Sequence, residues 1–262
     1  ECMECEVDEV AVFGADSDAS PYDSGSYASS TAYLTGTAVV KTCEALKEKI
    51  LHKAAKYLET GVEELEFDGK RVYKLACEAD GTRKEITIKD LANRVQCANE
   101  DALQVTQSHS SPISPPPFMA GAAEVEVDLE TGQVELIKFA AAVDCGTPLN
   151  ENLARVQTEG GLVQGIGMAL YEDVSYSKDG KVHENSFMQY KVPSRLDVGR
   201  VQVEFESSFE PTGPFGAKSI GEVVINTPSP AIANAVYNAV GVRIRELPIT
   251  AEKVFKGMNG LD

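Results

Sequence analysis

The carboxylate of Glu222 is the strongest candidate for acid–base chemistry in this chain. It follows a loop bounded by glycine and proline, residues 213–221, and precedes the apolar run Val223–Ile225. Partial desolvation beside such a run would raise the pKa of a glutamate from about 4.3 toward about 6 or 7, the range in which a general base works at neutral pH. An exposed glutamate near the start of a helix is the alternative interpretation.

Residues 21–30 form a serine- and glycine-rich loop just before a long predicted helix. Free backbone N–H groups and the positive end of the helix dipole collect at such a position and can hold an anion. Glycine also lets a phosphate or a ring edge approach the main chain. An ordinary helix-capping turn is the alternative. The candidate binding residues are Gly25, Ser26, Tyr27, Ala28, Ser29 and Ser30.

Gln157 lies in a predicted helix that contains four glycines, at positions 160, 161, 165 and 167. A glutamine side chain can offer both a donor and an acceptor to the edge of a heterocycle. A solvated helical glutamine is the alternative. Each interior glycine costs about 1 kcal/mol relative to alanine, so we expect another group to approach this helix closely.

Two further motifs do not support a site of their own. Residues 213–219 resemble a P-loop, but Ala217 stands where that motif needs glycine before the lysine, so we predict no nucleotide triphosphate site. Cys2 and Cys5 form a lone CxxC, which we interpret as two helix cysteines one turn apart. The three histidines are not grouped with them, and we predict no metal site built from side chains.

Composition narrows the classes of partner. No apolar run approaches the roughly 18 residues that a membrane span requires. A net charge of −17 opposes binding to nucleic acid and to anionic membranes. Six scattered cysteines are typical of a reducing compartment, so we expect a cytoplasmic protein. Glu1 is not an initiating methionine and opens what is interpreted as a helix end, so we expect a piece of a longer polypeptide.

The predicted elements indicate an α+β fold with mixed sheets, because strands and helices interleave without a strict βαβ repeat. A proline- and serine-rich connector, residues 106–118, predicts two domains, residues 1–110 and 111–262. Residues 122–143 are predicted as a β-hairpin with an exposed tip. The other predicted elements are strands over 7–13, 85–88 and 201–209, a hairpin over 67–77, and helices over 33–58, 89–97, 152–171 and 229–240.

Several segments, in matching order over nearly the whole chain, resemble the xanthine dehydrogenase family of molybdenum hydroxylases. The resemblance is to the C-terminal part of the large, molybdopterin-binding subunit. The segments are residues 21–30, Thr35-Gly36, residues 114–118, residues 144–147, residues 157–167, residues 190–193, residues 216–222 and residues 230–249.

The resemblance implies a molybdenum held by a pterin cofactor, in the molybdopterin or the cytosine dinucleotide form, rather than by side chains. Residues 25–30 and Gln157 would contact it, and Glu222 would be the catalytic base in hydroxylation of a purine-like N-heterocycle with oxygen from water. Residues 1–110 would be an incomplete first molybdopterin-binding subdomain, and residues 111–262 would be the second subdomain, which carries the catalytic glutamate. An iron–sulfur centre of the 2Fe-2S type and FAD would reside on other segments or subunits of a hetero-oligomer.

Two departures from the family pattern stand out. Val223 occupies the position after the catalytic glutamate, where the family commonly has proline, and the earlier parts of the subunit are absent from this sequence. We therefore expect the isolated chain to be inactive. There are two alternative functions. The chain would be part of an aldehyde- or carbon monoxide-oxidising relative, or a non-catalytic scaffold or assembly domain that keeps the fold.

Overall fold

A computed structural model of the chain describes residues 1–14, 16–18 and 20–261. They form two compact units: Glu1–Gly25 with Leu34–Pro112, and Ser26–Tyr33 with Ile113–Asp262. Ser26–Tyr33 thus groups with the second unit, whereas the sequence division placed it in the first domain. Ala15 and Ala19 of the predicted polar loop, and the final residue of the predicted second domain, lie outside the described residues.

The first unit packs two helices on a small antiparallel sheet. Its elements are helix α1 (Thr31–Leu58, of which the part from Leu34 belongs to this unit), strands β1 (Leu65–Phe67), β2 (Arg71–Lys74) and β3 (Glu85–Thr87), helix α2 (Ile88–Cys97), and two short 3-10 helices, Val7–Glu9 and Val62–Glu64. The predicted helix, hairpin and strand–helix succession are confirmed. The hydroxyl of Thr87 accepts a hydrogen bond from the Asp90 backbone N–H and so caps α2.

The first residues of this unit differ from the prediction. Residues 1–5 form a single turn in which Glu4 has a left-handed φ of 52°, so Cys2 and Cys5 are not on a helix. Residues 10–13 form no strand, and Val12 and Phe13 are 87% and 74% exposed. An alternating pattern forms a stable strand only where a partner strand and a core face are available, and this segment has neither.

The second unit is built on a mixed three-stranded sheet. Strands β4 (Phe118–Val127) and β5 (Val134–Asp144) form the predicted hairpin, and β6 (Arg200–Phe205) lies parallel to β5. The helices are α3 (Glu151–Leu170), α4 (Pro228–Val240) and α5 (Ala251–Met258), with 3-10 turns at Pro214–Gly216 and Val223–Ile225. The predicted α+β class with mixed sheets is confirmed.

The glycines of α3 admit close neighbours, as the sequence predicts. A Cβ at Gly161 would lie 2.2 Å from a methyl of Val224, and one at Gly165 would lie 2.7 Å from Pro228. Helix α3 therefore packs closely on the segment that follows Glu222.

The tip of the hairpin is largely exposed, as predicted, with Leu129 70% exposed. Only Gly132 of the turn is buried, and a Cβ there would lie 2.3 Å from the Ala251 carbonyl oxygen at the start of α5. No prediction was made for α5, which spans only eight residues.

Among the described residues, no helix combines the length and apolar character needed to cross a membrane.

Candidate active site

Glu222 and Ser29 are brought together although 193 positions separate them in the chain. The Ser29 hydroxyl donates a hydrogen bond of 2.9 Å to Oε2 of Glu222. Ser29 has a left-handed φ of 56°, as does Ala28 with 49°, and this pair of residues turns the chain into the start of α1. Ser29 and Glu222 both belong to the second unit, so this contact is made within one compact body.

The side chain of Gln157 lies beside the Ser29–Glu222 hydrogen bond. A Cβ at Gly221 would lie 2.7 Å from the Ser29 hydroxyl oxygen and 3.9 Å from Nε2 of Gln157, so both side chains border this glycine. Gln157 is exposed on α3, and Gly160, one turn further along, has no atom within 4 Å of the position of a Cβ. The face of α3 beside Glu222 therefore offers an amide group and open backbone to a flat ligand.

The remaining loop residues have different environments. Gly25 has a φ of 95° and donates its N–H to Asp23 Oδ1 at 2.7 Å. Tyr27 is 72% exposed, Ser26 is exposed, and Ser30 is buried with its N–H bonded to the Tyr27 carbonyl. Gly25 is grouped with the first unit, and Ser26–Tyr33 with the second.

The second unit holds the Ser26–Tyr33 segment by a partly buried hydrogen bond of Tyr33. Tyr33 is 3% exposed, and its hydroxyl lies 2.7 Å from Oγ1 of Thr212 in the loop that leads to Glu222. The serine-rich turn and the glutamate loop are thus linked at two points, through Tyr33 and through Ser29.

Glu222 itself is exposed, so the desolvation predicted from the following apolar run is not found in the described residues. The apolar run Val223–Ile225 is directed into the unit instead. Val224 is fully buried against α3, while the Glu222 carboxylate points outward at the head of the 3-10 turn. Apolar neighbours in sequence did not become neighbours of the carboxylate, because a helical turn directs successive side chains to different sides.

Sequence reasoning missed an ion pair behind the glutamate loop. Lys218 Nζ lies 2.7 Å from Asp144 Oδ2, and the two side chains are only 8% and 20% exposed. Burial alone would raise the pKa of Asp144, but the hydrogen bonds from Lys218, Ser208 and the Gly146 backbone outweigh it and hold that pKa below its usual value. Lys218 is the lysine of the P-loop-like segment, residues 213–219, and its ammonium binds the Asp144 carboxylate.

The donors around Glu222 suit an organic cofactor better than a bare ion. No group of three or more His, Cys, Asp or Glu side chains that could hold a metal occurs in residues 1–14, 16–18 and 20–261. What the surface offers is the Gln157 amide, serine hydroxyls and the N–H groups at the start of α1, which have no acceptor inside the helix. These groups fit phosphate oxygens and the polar edge of a ring system.

A family model described as "Molybdopterin cofactor-binding domain" matches residues 1–199. The chain belongs to this molybdopterin-binding family. Two relatives from Escherichia coli support the resemblance. The probable hypoxanthine oxidase is 33% identical over 260 residues, which cover 98% of the chain and 27% of that protein. The xanthine dehydrogenase molybdenum-binding subunit is 30% identical over 244 residues, which cover 92% of the chain and 32% of that protein.

A solved structure agrees with this molybdopterin-binding assignment. The reconstituted CO dehydrogenase from Oligotropha carboxidovorans superposes with a TM-score of 0.79 at 26% identity, over 93% of the chain and 31% of that protein. The predicted resemblance to molybdenum hydroxylases is confirmed. This molybdopterin-binding chain spans about a third or less of the length of these relatives, so the properties of the whole enzyme are matters of proposal.

Proposed function

We propose that this chain is the cofactor-binding and base-bearing part of a molybdenum hydroxylase that oxidises a purine-like N-heterocycle, with water as the source of oxygen. The observation that carries the proposal is the Ser29–Glu222 hydrogen bond beside Gln157, which joins a carboxylate to two polar groups on one exposed surface. The complete enzyme would place its remaining segments over this surface.

The cofactor would be held by donors of this chain. The hydroxyls of Ser26 and Ser29, backbone groups of residues 25–30 and the amide of Gln157 would bind the pterin or its phosphate, whether in the simple or the cytosine dinucleotide form. The N–H groups at the start of α1, which have no acceptor inside the helix, would add donors for an anionic group of the cofactor. The bound cofactor would supply the redox centre that takes up the two electrons of the oxidation.

Glu222 would act as the general base. Among the described residues only Ser29 donates to this carboxylate, through Oε2, so Oε1 is left to accept a proton from the attacking oxygen. Closure of the site by other segments would supply the desolvation that the described residues do not.

A purine-like substrate is favoured because both relatives described above carry hypoxanthine or xanthine in their names. The structural likeness to CO dehydrogenase makes carbon monoxide or aldehyde oxidation the second candidate. We further propose that the chain works with the rest of its molybdopterin subunit and with 2Fe-2S and FAD segments in a cytoplasmic hetero-oligomer, and is inactive alone. The division into an incomplete first subdomain, 1–110, and a second, 111–262, also stays a prediction.

The test is Glu222→Gln in the complete enzyme. Loss of a general base reduces turnover by about 10²- to 10⁴-fold, and we expect kcat to fall in this range while molybdenum and pterin contents stay unchanged. Glu204→Gln is the matched control, because Glu204 is an exposed glutamate on β6 of the same unit. Turnover near that of the control would rule out the base role.

A second measurement separates the enzyme from a scaffold. The complete native complex should contain one molybdenum and one pterin for each copy of this chain, whereas a scaffold would contain neither in stoichiometric amount. Rates with hypoxanthine, an aromatic aldehyde and carbon monoxide, compared on that complex, distinguish the candidate substrates.

A further inference from the structure

The Asp144–Lys218 ion pair has no part in the proposed chemistry, yet it is the most completely hydrogen-bonded charged pair among the described residues of the second unit. Besides the 2.7 Å contact with Lys218, Asp144 accepts hydrogen bonds from the Ser208 hydroxyl at 2.5 Å and from the Gly146 N–H at 3.0 Å. The Lys218 ammonium also lies 5.2 Å from the centre of the Phe118 ring. A charge this buried is retained only where its partner is fixed.

The pair joins the glutamate loop to the end of the central strand of the sheet. Asp144 is the last residue of β5, the central strand of the mixed sheet. The backbone N–H of Lys218 donates to the Cys145 carbonyl at 2.8 Å, and the N–H of Thr147 donates to the Gly216 carbonyl at 2.8 Å. Residues 216–218 therefore pair with residues 145–147 like a short added strand.

Lys218 lies four positions before Glu222, and the intervening residues are anchored as well. Ser219 is buried, and Ile220 packs against the core of the second unit. Gly221 then lies against Ser29, and only at Glu222 does a side chain of this segment reach the surface. The position of the carboxylate is thus fixed by the register of the loop on the end of β5.

We infer that Asp144 and Lys218 are positioning residues that hold Glu222 at its working place by locking the register of residues 216–218 on β5. The inference rests on the proposed function of Glu222. It assigns no contact with substrate or cofactor to either residue, and predicts that their loss acts through Glu222.

The experiment uses the complete enzyme with Lys218→Met, Lys218→Arg and Asp144→Asn. A displacement of about 1 Å can reduce turnover about 100-fold, so we expect kcat to fall about 10- to 100-fold in Lys218→Met and Asp144→Asn. KM and molybdenum content should stay within about twofold of the parent. Lys218→Arg keeps the charge and should recover most of the turnover. The control is Lys181→Met, which breaks an exposed pair with Asp179 in the same unit.

Hydrogen–deuterium exchange gives a readout that does not depend on turnover. Peptides covering residues 216–222 should exchange about tenfold faster in Lys218→Met than in the parent, while those covering α3 keep their protection. The Lys181→Met control should leave both regions unchanged. Unchanged exchange of residues 216–222 in Lys218→Met would overturn the inference.

The decisive comparison is made in a Glu222→Gln background. If Lys218 acts only through Glu222, Lys218→Met should reduce kcat no further there. A further loss of the same factor in that background would show an independent structural role and overturn the inference. Full turnover of Glu222→Gln itself would remove the proposed function, a different outcome. Should Lys218→Met fail to yield enzyme, Asp144→Asn carries the same comparison.

Discussion

The two units tie a loop to their regular structure in opposite ways. In the first unit, lysines at positions 49, 53 and 56 project from one side of α1 toward Glu100 and Asp101, just after α2. Lys53 lies 2.7 Å from both acidic residues, and Lys49 lies 2.7 Å from Asp101. Lys56 and Asp101 are 63% and 70% exposed, whereas Lys53 and Glu100 are 17% and 18% exposed, so the outer part of this network is in water.

In the second unit a single ion pair, Asp144–Lys218, ties the glutamate loop to the sheet. Among the described residues, Lys218 and Asp144 have no second carboxylate or lysine within ion-pair distance, and both are largely withdrawn from water. The loop beyond them is held by shape instead, through the contact of Val224 with Gly161 of α3.

The difference teaches how redundancy relates to function. The outer pairs of the first unit contribute little and are weakened by salt, and although Lys53 and Glu100 are mostly buried, three lysines on two carboxylates can lose a member and still hold the loop. A buried pair cannot lose a member without leaving an unpaired charge. The unit that carries the candidate base uses the arrangement that tolerates the loss of a member less well.

The largest effect is expected from Asp144→Ala. It leaves the Lys218 ammonium buried without a partner, and we expect the second unit to lose about 3 kcal/mol of stability. Asp144→Asn keeps an acceptor oxygen and should lose less. Exchange of the slowest amides of β5 would measure both changes. A loss below about 1 kcal/mol in Asp144→Ala, the value typical of an exposed pair, would remove the contrast between the units.

A smaller effect is expected at the glycine contact. Gly161→Ala brings a Cβ to within 2.2 Å of Val224, and such overpacking costs about 2 kcal/mol. Gly160→Ala is the matched control: nothing lies within 4 Å, and alanine there should stabilise the helix by about 0.5–1 kcal/mol. Thermal unfolding of the two variants should therefore shift in opposite directions. Shifts of the same sign would show that the tight packing of α3 does not hold the loop.

The smallest effect is expected from Glu100→Gln and depends on pH. Hydrogen bonds from Lys53 and Lys56 lower the pKa of Glu100 from 4.5 to about 2. Because the folded pKa is depressed, the stabilisation is complete above about pH 4.5 and disappears as the pH falls toward about 2. Exchange of the amides of residues 97–104 should slow between pH 2 and pH 4.5 beyond the intrinsic trend in the parent but less so in Glu100→Gln. Equal profiles would mean that the network does not hold the loop.

Much of the fold followed from local patterns. The helical period over α1, the alternation around the β4–β5 turn and the boundaries of α3 and α4 all agree with the prediction within a few residues, apart from a longer start to β4. Residues 7–13 show the limit of this reasoning. Their alternation matches that of a strand, but a strand also needs a neighbour to bond with, and one segment of sequence cannot show that its neighbour is missing.

The site was harder to predict from the sequence than the fold. Gln157, Ser29 and Glu222 were each a candidate with an ordinary alternative, and no local pattern predicts that residues 193 positions apart will meet. Only the family resemblance joined them. The Asp144–Lys218 pair escaped notice because a lysine in a loop and an aspartate at a strand end are common surface residues, and their shared burial is a property of the folded unit alone.

At position 29, the residue that best suits the left-handed backbone differs from the residue that best serves the chemistry of the site. A non-glycine residue at a φ of 56° stores about 1 kcal/mol of backbone strain, which glycine would relieve. The serine hydroxyl is nevertheless what contacts Glu222. Glycine here would relieve the strain but would also remove the hydrogen bond between the serine-rich turn and the glutamate loop, so relief of strain at this position comes with loss of the partner of the carboxylate.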